Sequence, residues 1–260
     1  MDNPALWRDT IRALRFFSRL PLPALPGESD PHAAPDLARL MPAVPLAGLV
    51  LGGLAGIVLI VAAGLWPPTV AAILCVAAAV AMTGAFHEDG LADTADSFGG
   101  WSVEQRLTIM KDSRIGTFGA SALILGLSLR VAAIAGLLAA AGAGRAALAL
   151  AAAGAVSRTA ALILAAHLPP ARPDGAAHAA GVPTPEGFGR ACLTAAGIAL
   201  LAWPAAGFGG VIIALLAAAG LAVAAERFAV RHVGGQTGDI AGATQQAVEI
   251  AVLLTLLMFA

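Results

Sequence analysis

The chain contains a stretch of 47 residues, from Leu40 to Phe86, without one charged side chain. A single helix of that length would measure roughly 70 Å, more than twice the ~30 Å hydrocarbon core of a bilayer. Because the pair Pro67-Pro68 interrupts the stretch, we predict two membrane spans, 43–65 and 69–86. Only 12% of the residues are charged and 59% are hydrophobic, against ~25% and about 45–50% in soluble domains. These figures exclude an ordinary water-soluble enzyme.

Further apolar stretches complete the predicted fold. Cys192 to Ala225 is again uncharged and, at roughly 50 Å as one helix, too long for one crossing. The Trp203-Pro204 pair and the glycines after it indicate a break there. The remaining predicted spans are 117–141, 146–166, 191–205, 210–225 and 243–259. We therefore predict an all-α polytopic integral membrane helix bundle of about seven transmembrane helices.

The N-terminal residues 1–39 have a different character. Arg8, Arg12, Arg15 and Arg19 follow the spacing i, i+4, i+7, i+11 and fall on one helical stripe. This pattern favours an interfacial helix on anionic headgroups, followed by a polar connection. The alternative is a helix that packs on the protein's own cytosolic loops. We assign the whole chain, 1–260, to a single domain whose transmembrane bundle occupies 40–260.

The basic residues predict the orientation of the bundle. With seven spans and the N-terminus inside, 12 of the 15 Lys and Arg residues lie in inside segments, two lie within spans and only Arg145 lies outside. Such a bias is the positive-inside signature. The N-terminus and the polar clusters described next are expected on the cytoplasmic face. The net charge of −1 gives no indication of a nucleic-acid partner.

The densest polar run is HEDGLADTADSFGG, which begins at His87. Asp89, Asp93 and Asp96 have the spacing i, i+4, i+7, so their carboxylates share one helical face and repel unless a cation lies among them. Hard oxygen ligands of this kind suit Mg²⁺, and Glu88 is counted with them. His87 is a candidate to orient a ligand or carry a proton. The alternative is a solvated acidic face. The other histidines lie in polar segments and are expected to be solvated: His32, His167, His178 and His232.

A second segment, RLTIMKDSRIGTFGA, starts at Arg106. Lys111 and Arg114 are three residues apart, so both can face one anion, and arginine supplies a bidentate fork for phosphate. The alternative is that these cations, Arg106 above all, are positive-inside anchors.

A third segment, GGQTGDIAGATQQAVEI, enters the last predicted span. Asp239 and Gln246 lie seven residues apart on one helical face. Glu249 lies three residues further on, within the bilayer, where a carboxylate is costly and is a functional candidate by default. Its alternative role is to pair with an intramembrane arginine, Arg130 or Arg158. Either arginine can instead line a polar cavity that takes substrate phosphate.

Together with FFSRLPLP, from Phe16 to Pro23, these three segments resemble the cobalamin synthases, the adenosylcobinamide-GDP ribazoletransferases. The similarity covers nearly the whole chain. It implies an integral membrane enzyme that joins adenosylcobinamide-GDP to α-ribazole, or its 5′-phosphate, with Mg²⁺ and release of GMP. It also implies a multi-pass protein of the bacterial cell (inner) membrane with the lipid bilayer as its surroundings. The sequence leaves homo-oligomerisation and the choice of acceptor open.

The resemblance and the residue patterns together give the expected site. The expected metal ligands are Asp89, Asp93, Asp96 and Glu88. The expected catalytic residues are Asp89, Asp93, Asp96, His87 and Asp239, where Asp96, Asp239 or His87 accepts the hydroxyl proton. The expected substrate-binding residues are Lys111, Arg114, Gln246 and Arg158.

Three other classes share aspartates at helical spacing on a membrane helix. CDP-alcohol phosphotransferases carry an Ala-Arg pair after the Asp-Gly-x-x element, and no such pair follows Gly90 here. Intramembrane prenyltransferases use two Asp-rich motifs, whereas the last segment here has one Asp amid Gln and Gly. A transporter of cations would use the same acids without needing the Lys111 and Arg114 pair.

Overall fold

The computed structural model describes residues 4–28, 30, 36–172 and 184–260. Within these residues the chain forms eleven α-helices and no β-strand. Short 3₁₀ turns occupy Met41–Ala43, Ser97–Gly99 and Leu200–Ala202. The helices are α1 Pro4–Phe17, α2 Leu37–Leu40, α3 Val44–Ala63, α4 Pro68–Thr83, α5 Phe86–Asp96, α6 Val103–Ile109, α7 Thr117–Ala141, α8 Ala143–His167, α9 Pro185–Ala199, α10 Trp203–Val233 and α11 Gly238–Met258.

The predicted all-α membrane bundle is confirmed. In the described part of the chain, five helical segments are long and apolar enough to cross a bilayer, and a bent pair of helices makes a sixth candidate. The five are Leu37–Ala63, Thr117–Ala141, Ala143–His167, Pro185–Val233 and Gly238–Met258. The predicted number of seven is approximate, because it divides the 49-residue segment Pro185–Val233 into two spans. Gly207, with a φ of 66°, interrupts the helical backbone of that segment, where the sequence indicates a break.

The centre of the bundle is α8, which packs closely against α3. A Cβ atom built on Gly48 would collide with the backbone carbonyl of Gly154, and one built on Gly154 would approach the carbonyl of Gly48 to 2.5 Å. Lipid provides no hydrophobic driving force between helices, so small residues that let backbones approach are the means of tight packing. The abundant glycine and alanine therefore stabilise the bundle that carries the polar side chains.

Helix α1 packs onto the bundle through Leu14 and Phe17, which are buried. Two arginines of its basic stripe turn toward the chain's own acidic loop: Arg12 Nε lies 3.0 Å and Arg15 Nη2 2.6 Å from the carboxylate of Glu28. These ion pairs agree with the alternative of a helix packed on its own loops. The interfacial location of α1 stays a prediction.

A sharp corner separates α4 from α5. Gly84 and Ala85 both adopt left-handed backbone conformations, with φ of 65° and 58°, and the two helices meet at 89°. An alanine with positive φ is uncommon and is kept only where the surrounding structure holds it. The backbone N–H of Arg19 donates a 2.7 Å hydrogen bond to the carbonyl of Met82, which ties the N-terminal segment to this corner. Helix α5 therefore turns sharply away from α4, lies outside the five long spans, and packs against α7 and α11.

Candidate active site

The close contact between α5 and the start of α11 brings two polar segments of the sequence together. A Cβ atom on Gly90 would lie 2.7 Å from the carbonyl oxygen of Asp239 and 3.2 Å from the Cα of Gly242. Only a residue without a side chain fits there. The contact places the aspartates of α5 beside Asp239.

We define the acidic cluster as Asp89, Asp93, Asp96 and Asp239. Burial, with the charges of Asp89, Asp239 and Asp96, raises the pKa of Asp93 to about 7. Asp89 is exposed, and Asp93 and Asp239 are partly so, which leaves the cluster open to solvent. Across the described ranges, no three His, Cys, Asp or Glu side chains converge as a metal-binding group. The cluster is thus a crowded, open set of carboxylates.

Asp96 has a second role at the edge of the cluster. Its two carboxylate oxygens accept hydrogen bonds from the backbone N–H groups of Gly116, at 2.7 Å, and Gly119, at 2.8 Å. These groups belong to the first turn of α7, where amides lack helical partners and a negative charge is favourable. Asp96 therefore ties the end of α5 to the start of α7.

A cation that the sequence analysis did not single out contacts the cluster. Arg172 Nη2 donates to the Asp239 carboxylate at 3.1 Å, and its Nε is buried without a hydrogen-bond partner in the described structure. The predicted phosphate-binding pair lies on the exposed loop between α6 and α7. There the Arg114 guanidinium forms a bidentate pair with Asp112, from Nε to Oδ1 and from Nη2 to Oδ2, and Lys111 is exposed. The Arg114 guanidinium is thus occupied by an acid of its own loop.

Glu88 faces the other side of α5 and forms a buried network inside the bundle. Its carboxylate lies 2.6 Å from Arg130 Nη1 and accepts a 3.2 Å hydrogen bond from Gln246. The second arm of Arg130 pairs with Glu249 at 3.0 Å. Glu249 is therefore a partner of Arg130, as one of the two sequence interpretations held. One oxygen of Glu88 makes the contacts with both Arg130 and Gln246, and its Oε2 is buried without a hydrogen-bond partner in the described structure. The role of Glu88 as a metal ligand stays a prediction.

The same network contains three further predicted residues. His87, Arg158 and Gln246 line a cavity of about 30 Å³ between α3, α4, α5, α7, α8 and α11. That volume holds about two water molecules and no phosphate group. Arg158 donates to the carbonyl of Gly154 at 3.2 Å, and its Nε is buried without a partner in the described structure. The substrate-binding roles of Arg158 and Gln246 stay predictions. His87, stacked 5.8 Å from the ring of Phe17, is buried away from the cluster.

The histidines expected to be solvated differ from one another. His167 is exposed and lies 3.3 Å from Glu226. His232 is 7% exposed, with its Nε2 2.9 Å from the Ser97 hydroxyl, so the prediction for it is wrong. His32 and His178 lie outside the described residues.

Fold and site define a polytopic membrane protein that carries an open acidic cluster beside an arginine at one end of its helix bundle. Residues 9–257 match the family model described as cobalamin-5-phosphate synthase, and the chain belongs to that family. The resemblance found in its sequence motifs is therefore confirmed.

Curated relatives extend the match over the whole chain. Proteins of Azorhizobium caulinodans and Xanthobacter autotrophicus are 49% and 50% identical to it, each over 100% of this chain and 99% of their own. A protein of Brucella anthropi is 47% identical over 99% of both chains. All three are named adenosylcobinamide-GDP ribazoletransferase. No solved structure matches the chain.

Proposed function

We propose that the protein is an adenosylcobinamide-GDP ribazoletransferase of cobalamin biosynthesis. It transfers the adenosylcobinamide phosphoryl group from adenosylcobinamide-GDP to the 5′-hydroxyl of α-ribazole or its 5′-phosphate. GMP is released, and adenosylcobalamin or its 5′-phosphate is formed. The observation that carries the proposal is 49% identity over the full length of a protein bearing that name. The meeting of the acidic run on α5 with the last polar segment on α11 supports it.

The reaction forms one bond and breaks one. The hydroxyl oxygen attacks the phosphorus next to the cobinamide arm, the bond from that phosphorus to the GMP phosphate breaks, and GMP leaves with the electron pair. Such transfers depend on positioning and on neutralising charge more than on covalent catalysis. Of the three candidates to accept the hydroxyl proton, Asp96 is held by two amides and His87 is buried in the inner network. Asp239, whose side chain is 27% exposed, is the acceptor in this proposal.

The donor set of the acidic cluster fits Mg²⁺. Asp89 and Asp93 lie one helical turn apart, and the raised pKa of Asp93 reflects burial and carboxylate crowding that a cation would relieve. Mg²⁺ commonly takes one or two carboxylates together with waters and substrate phosphates, so an open cluster suits it. Bound there, the ion would neutralise charge on the diphosphate. Arg172 adds a fixed positive charge next to Asp239.

The proposal includes an orientation in the bacterial inner membrane with the acidic cluster on the cytoplasmic side. Helix α7 starts at the amides that hold Asp96 and, with 25 residues, ends roughly 37 Å away near Arg145. The cluster and Arg145 therefore lie at opposite ends of α7. Arg145 is the single basic residue that the positive-inside pattern assigns to the outside.

Reconstituted protein tests the proposal directly. Purified protein in proteoliposomes is supplied with adenosylcobinamide-GDP and α-ribazole, and GMP release is measured with Mg²⁺ and with excess chelator. We expect release only with both substrates and Mg²⁺. Asp89→Asn should abolish it, while Glu186→Gln, an exposed acid outside the cluster, should behave like the unaltered protein. No GMP release by the unaltered protein would refute the assigned activity and favour a transporter or another phosphotransferase. Full activity of Asp89→Asn would refute the metal assignment alone.

A further inference from the structure

A second polar site lies next to the acidic cluster, where the end of α10 meets the turn after α5. It is a cleft of about 540 Å³, a size typical of small-molecule sites. We call it the arginine–aromatic cleft, and the side chains that define it are Phe98, Arg106, Arg227, Phe228, Arg231 and His232. The proposed chemistry uses none of them.

One wall of the cleft is a fixed aromatic stack. The rings of Phe228 and His232 lie 4.6 Å apart and nearly parallel, at 21°. Phe98 leans on His232 at 5.0 Å, and the Ser97 hydroxyl holds the far nitrogen of the imidazole. Phe98 is nonetheless 57% exposed. The ring of Phe98 is thus exposed, while His232, on which it packs, is buried and hydrogen-bonded.

Three arginines give the rest of the cleft a positive charge. Arg106 is held by the carbonyls of Gly100, at 3.1 Å, and His232, at 3.0 Å, which fixes its guanidinium at the cleft. Arg227 and Arg231 are exposed, lie one turn apart on α10, and form no ion pair with any acid in the described ranges. Three guanidinium groups therefore face one cavity without a carboxylate among its lining residues.

Three arginines beside an exposed flat ring match one ligand chemistry: a phosphate joined to a planar base. Arginine binds phosphate through bidentate hydrogen bonds, and aromatic faces stack on nucleobases. The cleft also lies next to the reacting groups, because only Ser97 separates Phe98 from Asp96 of the acidic cluster. A nucleotide in the cleft can extend its phosphates toward that cluster.

We infer that the arginine–aromatic cleft binds the guanine nucleotide end of the donor, with the base on Phe98 and the leaving phosphate among Arg106, Arg227 and Arg231. The identity of the nucleotide rests on the proposed function, in which GMP is the leaving group. The cleft is a phosphate-binding site separate from Lys111 and Arg114, whose role stays a prediction. It also gives Arg227 and Arg231 a role beyond fixing the topology of α10.

Binding of GMP to the full chain in nanodiscs of phosphatidylcholine tests the inference. We expect the double variant Arg227→Ala/Arg231→Ala to weaken GMP binding at least tenfold, since each loses a charge-assisted contact. Phe98→Ala should weaken GMP and guanosine alike, whereas the double variant should weaken GMP and leave guanosine unchanged. Arg145→Ala, an exposed arginine at the other end of α7, is the matched control and should bind GMP normally. In turnover, the double variant should raise the KM for adenosylcobinamide-GDP and leave the KM for α-ribazole unchanged.

Unchanged GMP binding by the double variant would overturn the inference. A second set of nanodiscs that contains phosphatidylglycerol tests the other source of phosphate. If the double variant binds GMP normally but binds phosphatidylglycerol less than the unaltered protein, the arginines bind lipid headgroups and the inference is overturned. If the double variant does not reconstitute, Arg227→Gln alone carries the same test. Failure of the proposed function gives a different result: the unaltered protein would bind GMP through Arg227 and Arg231 yet release none from adenosylcobinamide-GDP and α-ribazole.

Discussion

Substituting Gly90 by alanine should move the aspartates of α5 away from Asp239 on α11. The new Cβ would lie 2.7 Å from the carbonyl oxygen of Asp239, whereas an ordinary contact is 3.4 Å or more. The atom it meets is backbone, so no side chain can rotate away. Helix α5 or the first turn of α11 must therefore shift by about 0.7 Å. This shift increases the distance between Asp93 and Asp239.

Two effects on stability oppose each other in this variant. Alanine gains about 1 kcal/mol of helix propensity over glycine, and overpacking a close contact costs about 1–3 kcal/mol. The free energy of unfolding should therefore fall by no more than about 2 kcal/mol, and the bundle should stay folded. Catalysis is more sensitive, because misplacing reacting groups by about 1 Å can cost on the order of 100-fold in rate. We expect kcat to fall by roughly that factor.

The assay is the initial rate of GMP release in proteoliposomes, with thermal unfolding measured on the same preparation. Gly242→Ala serves as a graded comparison, because its Cβ would meet Gly90 Cα and the His87 carbonyl at 3.3 Å. We expect Gly242→Ala to lower kcat by tenfold or less. Gly220→Ala, whose Cβ would have no neighbouring atom within 4 Å, should leave kcat unchanged. A Gly90→Ala enzyme within twofold of the normal kcat, or a Gly242→Ala enzyme more impaired than it, would refute the reasoning.

Three further substitutions test separate parts of the site. Asp93→Asn should lower kcat by on the order of 100-fold or more with normal thermal stability, since it removes a charge from the cluster; near-normal GMP release would contradict its role. Arg172→Lys should lower kcat about tenfold, because the ammonium of lysine is a point charge on a flexible stem and does not reproduce the direction of the Nη2 contact to Asp239; a loss equal to that of Arg172→Ala would confirm the need for the guanidinium, and an unchanged rate would exclude it. Arg130→Leu should lower the free energy of unfolding by about 3–5 kcal/mol, since it leaves the buried carboxylates of Glu88 and Glu249 without their shared partner; normal stability measured by thermal unfolding would show that the network does not hold α5.

Helical spacing explains which acids the sequence could place and which it could not. Asp89 and Asp93 are four residues apart, which returns a helix to nearly the same face, and the structure puts both in one cluster. Glu88 is adjacent to Asp89 in sequence, but consecutive helical residues differ by about 100° in direction. Its side chain therefore enters the bundle and meets Arg130. The sequence analysis grouped Glu88 with the aspartates because they are neighbours in the sequence. The direction of its side chain on the helix is different.

Arg172 could not be found from sequence because its position depends on a tertiary contact. The backbone of Gln236 exchanges hydrogen bonds of 2.9 Å with Pro169 and Ala171, which joins the segment after α8 to the loop before α11. A Cβ on Gly235 would lie 2.6 Å from the Pro169 carbonyl, so that loop needs a glycine there. A single arginine in a polar segment does not indicate which part of the chain it contacts. The glycines of the last motif are typical of a tight loop, but they do not identify the segment that the loop contacts.

The two faces of α5 link the buried network to the acidic cluster. A buried ion pair contributes little net stability compared with apolar packing, but its directional hydrogen bonds fix one arrangement of the groups it joins. Glu88 and Arg130 join α5 to α7, while Gln246 joins α5 to α11. Rotation of α5 about its axis would move Asp89 and would break these contacts at the same time. The network inside the bundle therefore sets the direction of the carboxylates outside it, and Gly90 sets their distance from Asp239.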